Sequence, residues 1–495
     1  MSAARTEVEQ WDVVDVSMEL HSPGNPFDVR PRAEFRLDGS HGGRTRHEVE
    51  GFYDGDGVYR VRFMPEEVGT WAYRVTGPDG APLAAGAFDC VPASGDNHGP
   101  VRVRDERRFG YADGTPYRPF GTTCYAWAHQ PLGTQERTLA ALGNASFNKL
   151  RMCVFPKNYA FNAAEPTRFP FERHDDGTFD HTRPDPVFYR HLEAQVVALQ
   201  RLGIECDLIL FHPYDKGRWG FDRMDAEADE RYLRYTLARL AAYRNVWWSL
   251  ANEYDFMREK TMDDWDRAFA TVARYDPYGH LASIHNGTRM YEPASLALYD
   301  HHRPWVSHVS LQHWDVQQMR QWRSEWSKPV VVDECGYEGD LPFRWGDLTA
   351  EAVVDTFWTG VVLGGYVSHG ETYLRDGDAP IWWAQGGDLV GESPARIAFL
   401  RQVVESLPDD VAPLDDDRRH SAPTLGIEGS VYLQYFGRHR PAYRVVELPD
   451  DTDFSVEVID TWTMTSTPAP GTYRGPSRVE LPGTPGIAVL ARAAE

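Results

Sequence analysis

Apolar residues recur at every second position in short runs near the start of the chain: WDVVDVSMEL, AEFRLDG, VYRVRFM, WAYRVTG and GAFDCVP, within residues 8–92. A period of two turns one face of a strand inward and the other to water. Between the runs stand SPGNP, DGDG, EEVG and PDGAP, whose Gly, Pro and Asp residues favour tight turns. Short strands at this spacing predict an N-terminal Ig-like β-sandwich over residues 1–95, and the small polar stretch PASGDNHGP (92–100) marks its end. The same period returns in SVYLQYFG, AYRVVEL, FSVEVIDTWT and GIAVLARA, which predicts a small C-terminal β-sandwich over 410–495.

Between these ends the pattern changes. Eight apolar runs can be counted: RPFGTTCYAW (118–127), SFNKLRMCVF (146–155), IECDLILFHPY (204–214), VWWSLANEYD (246–255), HLASIHNG (280–287), VSHVSLQHW (306–314), PVVVDECGYE (329–338) and GGYVSHGETY (364–373). Segments with i, i+3/i+4 apolar spacing separate most of them, as in 187–203 and 228–245. Parallel strands need crossover helices, so eight such units predict an α/β protein whose centre is a (β/α)₈ barrel, here over 100–408. Nearly every run starts apolar and finishes on Asn, His, Glu, Gln, Trp or Tyr. Barrels of this kind build their sites at the C-terminal ends of the strands, and a purely structural barrel has no reason to repeat that asymmetry. The long, aromatic, proline-broken insert 157–188 lies on the same side and is expected to wall a pocket.

Composition narrows the partners. With 74 Asp+Glu against 51 Lys+Arg, a nucleic acid would be repelled, and no local basic patch offsets this. No apolar run approaches the ~20 residues that span a bilayer, and MSAARTEVEQ lacks the form of a secretory leader, so the expectation is a soluble, cytoplasmic protein with no membrane partner. Cys90, Cys124, Cys153, Cys206 and Cys335 are scattered and odd in number, which suits free thiols rather than disulfides or zinc. The 16 tryptophans suit a large core or a sugar-binding cleft. The flanking sandwiches are expected to pack on the barrel, and a homo-oligomer is a further possibility.

Cleaving a glycosidic bond takes two carboxyl groups, one to protonate the leaving oxygen and one to attack or to activate water. Runs four and seven each finish on a glutamate, Glu253 and Glu334, on opposed sides of the barrel mouth. Asn252, just before Glu253, is placed to hold a sugar 2-hydroxyl.

Asn252-Glu253 together with Glu334 in PVVVDECGYE resembles the clan A glycoside hydrolases, which are retaining enzymes on a (β/α)₈ barrel. KPVVVDECGYEG, SHGETYL and IWWAQGGDLVGESPARIAFL (381–400) resemble more narrowly the bacterial apiosidase-like group, in which an Ig-like domain precedes the barrel and a small β-domain follows it. The resemblance implies that Glu253 is the general acid/base and Glu334 the nucleophile, and the pocket that the 157–188 insert is expected to wall favours exo action on a short glycoside. Cys335 departs from the bulkier residue common after the nucleophile. The two roles ask for opposite environments, a protonated Glu253 and an ionised Glu334. Arg151 is the candidate cation beside Glu334. His212, His285, Gln312 and His313 stand at strand ends, to bind hydroxyls or to orient the carboxylates, and Trp127, Trp314 and Trp383 offer flat faces to a sugar ring.

Plainer readings stand beside these. Asp333 and Glu338 compete with Glu334, although strand alternation turns Asp333 to the opposite face. Glu371 is a substrate-binding carboxylate, a third catalytic group or an arginine's partner. His369 divides evenly between site and structure, and Trp247 and Trp248 belong to the core. RPFGTTCYAW has no histidine, the pair His301-His302 falls in a loop, and no phosphate-binding glycine loop follows a strand, so neither metal nor cofactor is expected. The alternatives to hydrolysis are a sugar-binding barrel without catalysis and a transglycosylase using the same carboxylates.

Overall fold

The computed structural model describes residues 6–22, 24–38, 46–287, 298–374, 380–414 and 422–494. At its centre eight parallel strands form a barrel: β1 (Gly121–Thr123), β2 (Lys149–Cys153), β3 (Glu205–Phe211), β4 (Val246–Ala251), β5 (Ala282–Ser283), β6 (Val309–Gln312), β7 (Val330–Glu334) and β8 (Tyr366–His369). The ladder runs β5-β4-β3-β2-β1-β8-β7-β6. A parallel bridge between His285, just past β5, and Ser310 of β6 closes the ring. Each strand lies within the run that predicts it and is shorter, because the polar ends of the runs are loops. Strands β4 and β7 stand three steps apart around the ring, with β5 and β6 between them, rather than diametrically opposed.

Helices α1 (Leu132–Asn144), α2 (Pro186–Arg201), α3 (Ala226–Leu240), α4 (Met262–Tyr275), α5 (Met319–Trp326), α6 (Ala350–Val362) and α7 (Ser393–Glu405) follow β1 to β4 and β6 to β8. Their starts are chemically marked. Asp185 accepts from Val187 N with Pro186 in the first turn of α2, Asp225 caps α3, and Thr261 with Asp264 makes a reciprocal capping box on α4. Among the described residues no helix is long and apolar enough to cross a membrane.

A three-stranded antiparallel ribbon (Val101–Arg104, Arg108–Tyr111, Pro116–Tyr117), which the sequence pattern does not announce, seals the N-terminal end of the barrel. Its Phe109 and Tyr117 pack with Trp247, Leu281 and Val331. With that end filled, the opposite end is where polar chemistry can collect.

At the N-terminus a five-stranded and a three-stranded sheet face each other, with Phe35 and Phe63 stacked at 4.1 Å between them. At the C-terminus a six-stranded sheet is covered by a two-stranded ribbon. The insert 157–188 differs from its expected role. Its second half folds as a hairpin, Phe171–Arg173 with Phe179–Pro184, that leans on the N-terminal region, where Asn25 Nδ2 donates to Thr182 O at 3.1 Å. Its first residues, 157–163, remain at the barrel mouth.

The N-terminal sandwich is tied to the barrel by buried charge. Arg62 reaches Glu193 of α2 at 2.6 Å, and Arg239 of α3 reaches the same carboxylate at 2.5 Å and Asp54 at 2.9 Å. All four side chains are at most 8% exposed. Glu193→Ala removes the carboxylate that both guanidiniums share, so it should destabilise the protein by about 3–5 kcal/mol in urea unfolding followed by tryptophan fluorescence.

Candidate active site

Directly beneath the barrel mouth lies a buried ionic layer. Lys149 and Arg151, two apart on β2, both point inward. Lys149 Nζ sits 2.7 Å from Asp207 of β3 and 2.8 Å from Asp333 of β7, and Arg151 Nε is 3.5 Å from Asp207. Ser310 and Ser368 donate to Asp333 at 2.6 and 3.0 Å. Against the burial that would raise it, Lys149 and Arg151 hold the Asp333 carboxyl well below the usual range. Two cations and two carboxylates therefore balance inside the barrel.

Asp333 is thus a member of this layer and not a rival nucleophile. The register of β7 against β6 slips by one residue, from Leu311↔Val332 to Gln312↔Glu334, leaving Asp333 as a bulge. A bulge breaks strict alternation and re-aims side chains. Here it lets Asp333 and Glu334 both face inward, contrary to the expected opposition. Glu334 accepts from the Tyr125 hydroxyl and lies 3.7 Å from Arg151 Nη1 and 3.6 Å from His285 Nε2. Since the Ser310 proton is committed to Asp333, His285 Nδ1–H donates to Ser310 Oγ at 3.0 Å, which leaves the unprotonated Nε2 facing Glu334.

Glu253 is aimed by a different device. Its backbone is left-handed, φ 50° and ψ 51°, a conformation that costs a non-glycine residue roughly 1–2 kcal/mol. The twist swings the side chain off the strand into the mouth, where Tyr214 donates to Oε2 and Gln312, with its amide nitrogen facing the carboxyl, donates to Oε1 at 3.1 Å. A Cβ at Gly287 would stand 2.6 Å from Glu253 Cβ and Cγ, so only glycine leaves room for this arrangement.

The two glutamates share a pair of neighbours. Tyr125 Oη, already on Glu334, is 3.3 Å from Asn252 Oδ1, and Asn252 Nδ2 donates to Glu253 Oε2 at 3.3 Å. Arg151 Nη1 fixes the same amide by donating to Asn252 Oδ1 at 3.1 Å. Both glutamates are buried, each residue keeping 6% of its surface exposed. Burial raises Glu253, opposed by Lys157 and the Tyr214 hydroxyl. Burial also pushes Glu334 up to about 8, with Tyr337 acting against it. The expected contrast between a protonated and a strongly ionised glutamate is therefore absent in the free protein. Arg151, the cation assigned to Glu334, is already shared with Asp207 and Asp333.

The remaining strand-end residues divide. Gln312, Asn252, Arg151 and His285 meet the carboxyls as described, and Trp383 lies 5.7 Å from the Tyr125 ring. His212 does not reach the mouth. Its Nδ1 accepts from Tyr214 N at 3.2 Å, so it positions the tyrosine, and burial holds it neutral by pushing it down to about 3. His313 accepts from Asp315 N at 3.0 Å and packs against Trp322, setting its own loop. Trp127 is fully buried and donates to Met152 Sδ at 3.1 Å. Trp314 is 48% exposed, with its ring lying parallel to that of His313. Glu371 binds amides of the loop before α7, accepting from Val390 N and Gly391 N at 2.7 and 2.9 Å. Glu338 does the same for Glu392 N and Ser393 N. Cys335 is buried, and burial pushes its thiol up to about 12, far from a thiolate.

Strand-end reading misses Tyr125, Tyr214, Lys157 and Gly287. The two tyrosines stand in the strand-end runs, in CYAW and HPYD, beside tryptophan and histidine, which carry the stronger chemical signal. Lys157, in the loop after β2, is 1% exposed and lies among the rings of Tyr125, Tyr214, Tyr159 and Trp383 at 3.6, 4.1, 4.7 and 5.5 Å. For a metal, the described residues offer one trio, Glu338, His369 and Glu371, whose ligand atoms fall within 4.8 Å of one another. Its carboxylates already accept backbone amides, and His369 bonds Thr122 at 2.9 Å and stacks on Phe147.

Residues 103–406 match the apiosidase-like catalytic domain family, while 7–77 and 420–492 match two domains of unknown function, DUF5060 and DUF5605. A crystal structure from Bacteroides vulgatus, assigned provisionally as a glycoside hydrolase, is 41% identical over 99% of this chain and 100% of its own, with a TM-score of 0.91. A glycoside hydrolase of family 5 from the same organism shares the fold at 16% identity and a TM-score of 0.59, over 80% of this chain and 93% of its own. No curated protein matches the chain.

Gly287→Ala places a methyl group against Glu253. The rate of any reaction that uses this carboxyl should fall about 100-fold, the scale set by ångström misplacement, while the circular dichroism spectrum stays that of the wild type.

Proposed function

The chain belongs to the apiosidase-like glycoside hydrolases, and from that premise we propose that it cleaves a short glycoside by double displacement, with Glu253 as acid/base and Glu334 as nucleophile. The observation that carries this reading is that both glutamates meet at one phenol and amide pair: Tyr125 donates to Glu334, its Oη lies 3.3 Å from Asn252 Oδ1, and Asn252 Nδ2 donates to Glu253. Double displacement asks for the narrow carboxyl spacing of retaining enzymes, ~5–5.5 Å, rather than the ~6.5–9.5 Å that an inverting enzyme leaves for water. Asn252, fixed by Arg151, stands where a hydrogen bond to the sugar 2-hydroxyl strengthens in the transition state.

Roles follow from environment. Glu253 sits against Tyr214, whose donated hydrogen bond orients it, while burial keeps a proton on it in the first step. Glu334 accepts from Tyr125, and as it attacks the anomeric carbon its charge passes into the covalent bond. Lys157, Tyr159, Phe161 and Trp383 enclose one side of the mouth, which supports a pocket and exo action on a small substrate.

A mechanism-based fluorosugar should label wild type once, on Glu334, and leave Glu334→Gln unlabelled in intact-mass measurement. An unlabelled wild type that still turns over would end the double-displacement reading. Glu253→Gln should lower kcat/KM by about 10²–10⁴ on glycosides with poor leaving groups. Glu334 attacks only when ionised, so kcat/KM rises with pH through its titration, and it falls where Glu253 loses its proton. Because burial pushes Glu334 up to about 8 from 4.5, the rising limb should extend to about pH 8.

A further inference from the structure

Lys157 has no part in the mechanism above, yet its burial needs a reason. Taking an ammonium out of water costs several kcal/mol unless something replaces the water. Among the described residues no carboxylate or carbonyl accepts from its Nζ. Four ring faces within 3.6–5.5 Å replace the water instead. Lys149 and Arg151 are held by Asp207 and Asp333. Lys157 is therefore, among the described residues, the cation at the mouth that no carboxylate neutralises.

Two of its four rings are those that matter. Tyr125 and Tyr214 are the phenols whose hydroxyls donate to Glu334 and Glu253. A cation over a phenol face draws density from the ring and makes its O–H a stronger donor. We propose that Lys157 is a positioning residue that acts through Tyr125 and Tyr214, as well as directly on Glu253, to favour the ionised form of both carboxyls. The proposal deepens the hydrolase reading: Glu334 must be ionised to attack, and Glu253 must accept charge when it gives up its proton.

The surroundings are consistent with that role. Burial pushes Lys157 down to about 8, with Glu253 raising it and Arg151 lowering it, so it carries its charge at neutral pH. Cys153 is itself pushed up to about 11 by burial and stays a thiol. His212, from β3, is neutral. Tyr159 and Trp383 present rings and no charge. The backbone holds the loop independently of the ammonium, through Asn162 Nδ2 to Lys157 O at 2.7 Å and Asn158 N to Tyr214 O at 2.7 Å.

The test is a titration that needs no substrate. Full-length protein carrying glutamate labelled with ¹³C at the side-chain carboxyl is followed by NMR against pH, with Glu253 and Glu334 assigned by their absence in Glu253→Gln and Glu334→Gln. In Lys157→Met both resonances are expected to titrate about one pH unit higher, a tenfold gain in proton affinity, and Lys157→Arg is expected to restore most of the wild-type behaviour. If Lys157→Met loses its native circular dichroism, Lys157→Gln carries the same comparison. Titrations in the neutral variant that superpose on the wild type, or an arginine variant that moves as far as the neutral one, would overturn the proposal, the latter by showing packing rather than charge at work. A shifted titration in a protein that cleaves no glycoside would overturn the hydrolase reading and leave this one standing, whereas an active enzyme with unmoved carboxyls would do the reverse.

Discussion

Lys149 and Arg151, wedged between Asp207 and Asp333, form the interaction on which the rest of the site depends. An eight-stranded barrel has an interior that side chains must fill, and charge placed there survives only when paired. In this protein the lower interior is sealed by the rings of Phe109, Tyr117 and Trp247, with Glu205 accepting from Trp247 Nε1 at 2.9 Å, and the layer above it is ionic. Because the four charges balance, Arg151 has little field left for Glu334, which burial consequently raises. The mouth above the layer must then manage two further carboxyls with neutral donors, the phenols of Tyr125 and Tyr214 and the amides of Asn252 and Gln312, and with the caged ammonium of Lys157.

Both candidate catalytic side chains are aimed by departures from regular backbone. A bulge at Asp333 turns Glu334 inward beside its neighbour, and a left-handed residue at the end of β4 turns Glu253 toward it. Gly287 leaves the space that the second departure requires. Strain of this kind persists when the surrounding structure over-determines it. The backbone here is held on both sides, with Asn252 N bonded to Phe211 O and Tyr254 N bonded to His285 O, each at 3.0 Å. The intervening strands contribute as well. β5 leads into His285 beside Glu334, and β6 ends on Gln312 beside Glu253, so the three-step separation of β4 and β7 is bridged by side chains from the strands between.

Several residues that look catalytic in type serve the scaffold instead. His212 and His313 accept backbone amides and set loops, and Glu371 and Glu338 bind the amides ahead of α7. In each case a buried polar backbone group needs a partner, and the nearest strand-end side chain supplies it. Their contribution to the site is indirect: His212 holds the chain that carries Tyr214, and Tyr214 touches Glu253.

Hydrophobic periodicity alone determined the eight strands, most of the helices between them, the two flanking β regions and the concentration of polar residues at one end of the strands. These follow from local rules, alternation for strands and 3.6-residue spacing for helices, which any short window of sequence contains. The pairing of Glu253 with Glu334 was also legible, because barrel topology brings strand ends together whatever lies between. The tertiary structure alone decided which neighbours complete the pair. That Tyr125 rather than Trp127 faces the mouth turns on where the chain leaves β1, after Thr123, and enters the 3-10 turn Trp127–His129. That Asp333 joins the ionic layer turns on a bulge, and that Lys157 is caged turns on rings from the loops after β1, β2 and β3 and from the approach to α7 meeting in space. Such outcomes depend on contacts between residues far apart in the chain and on single-residue shifts of phase, and no local periodicity encodes either.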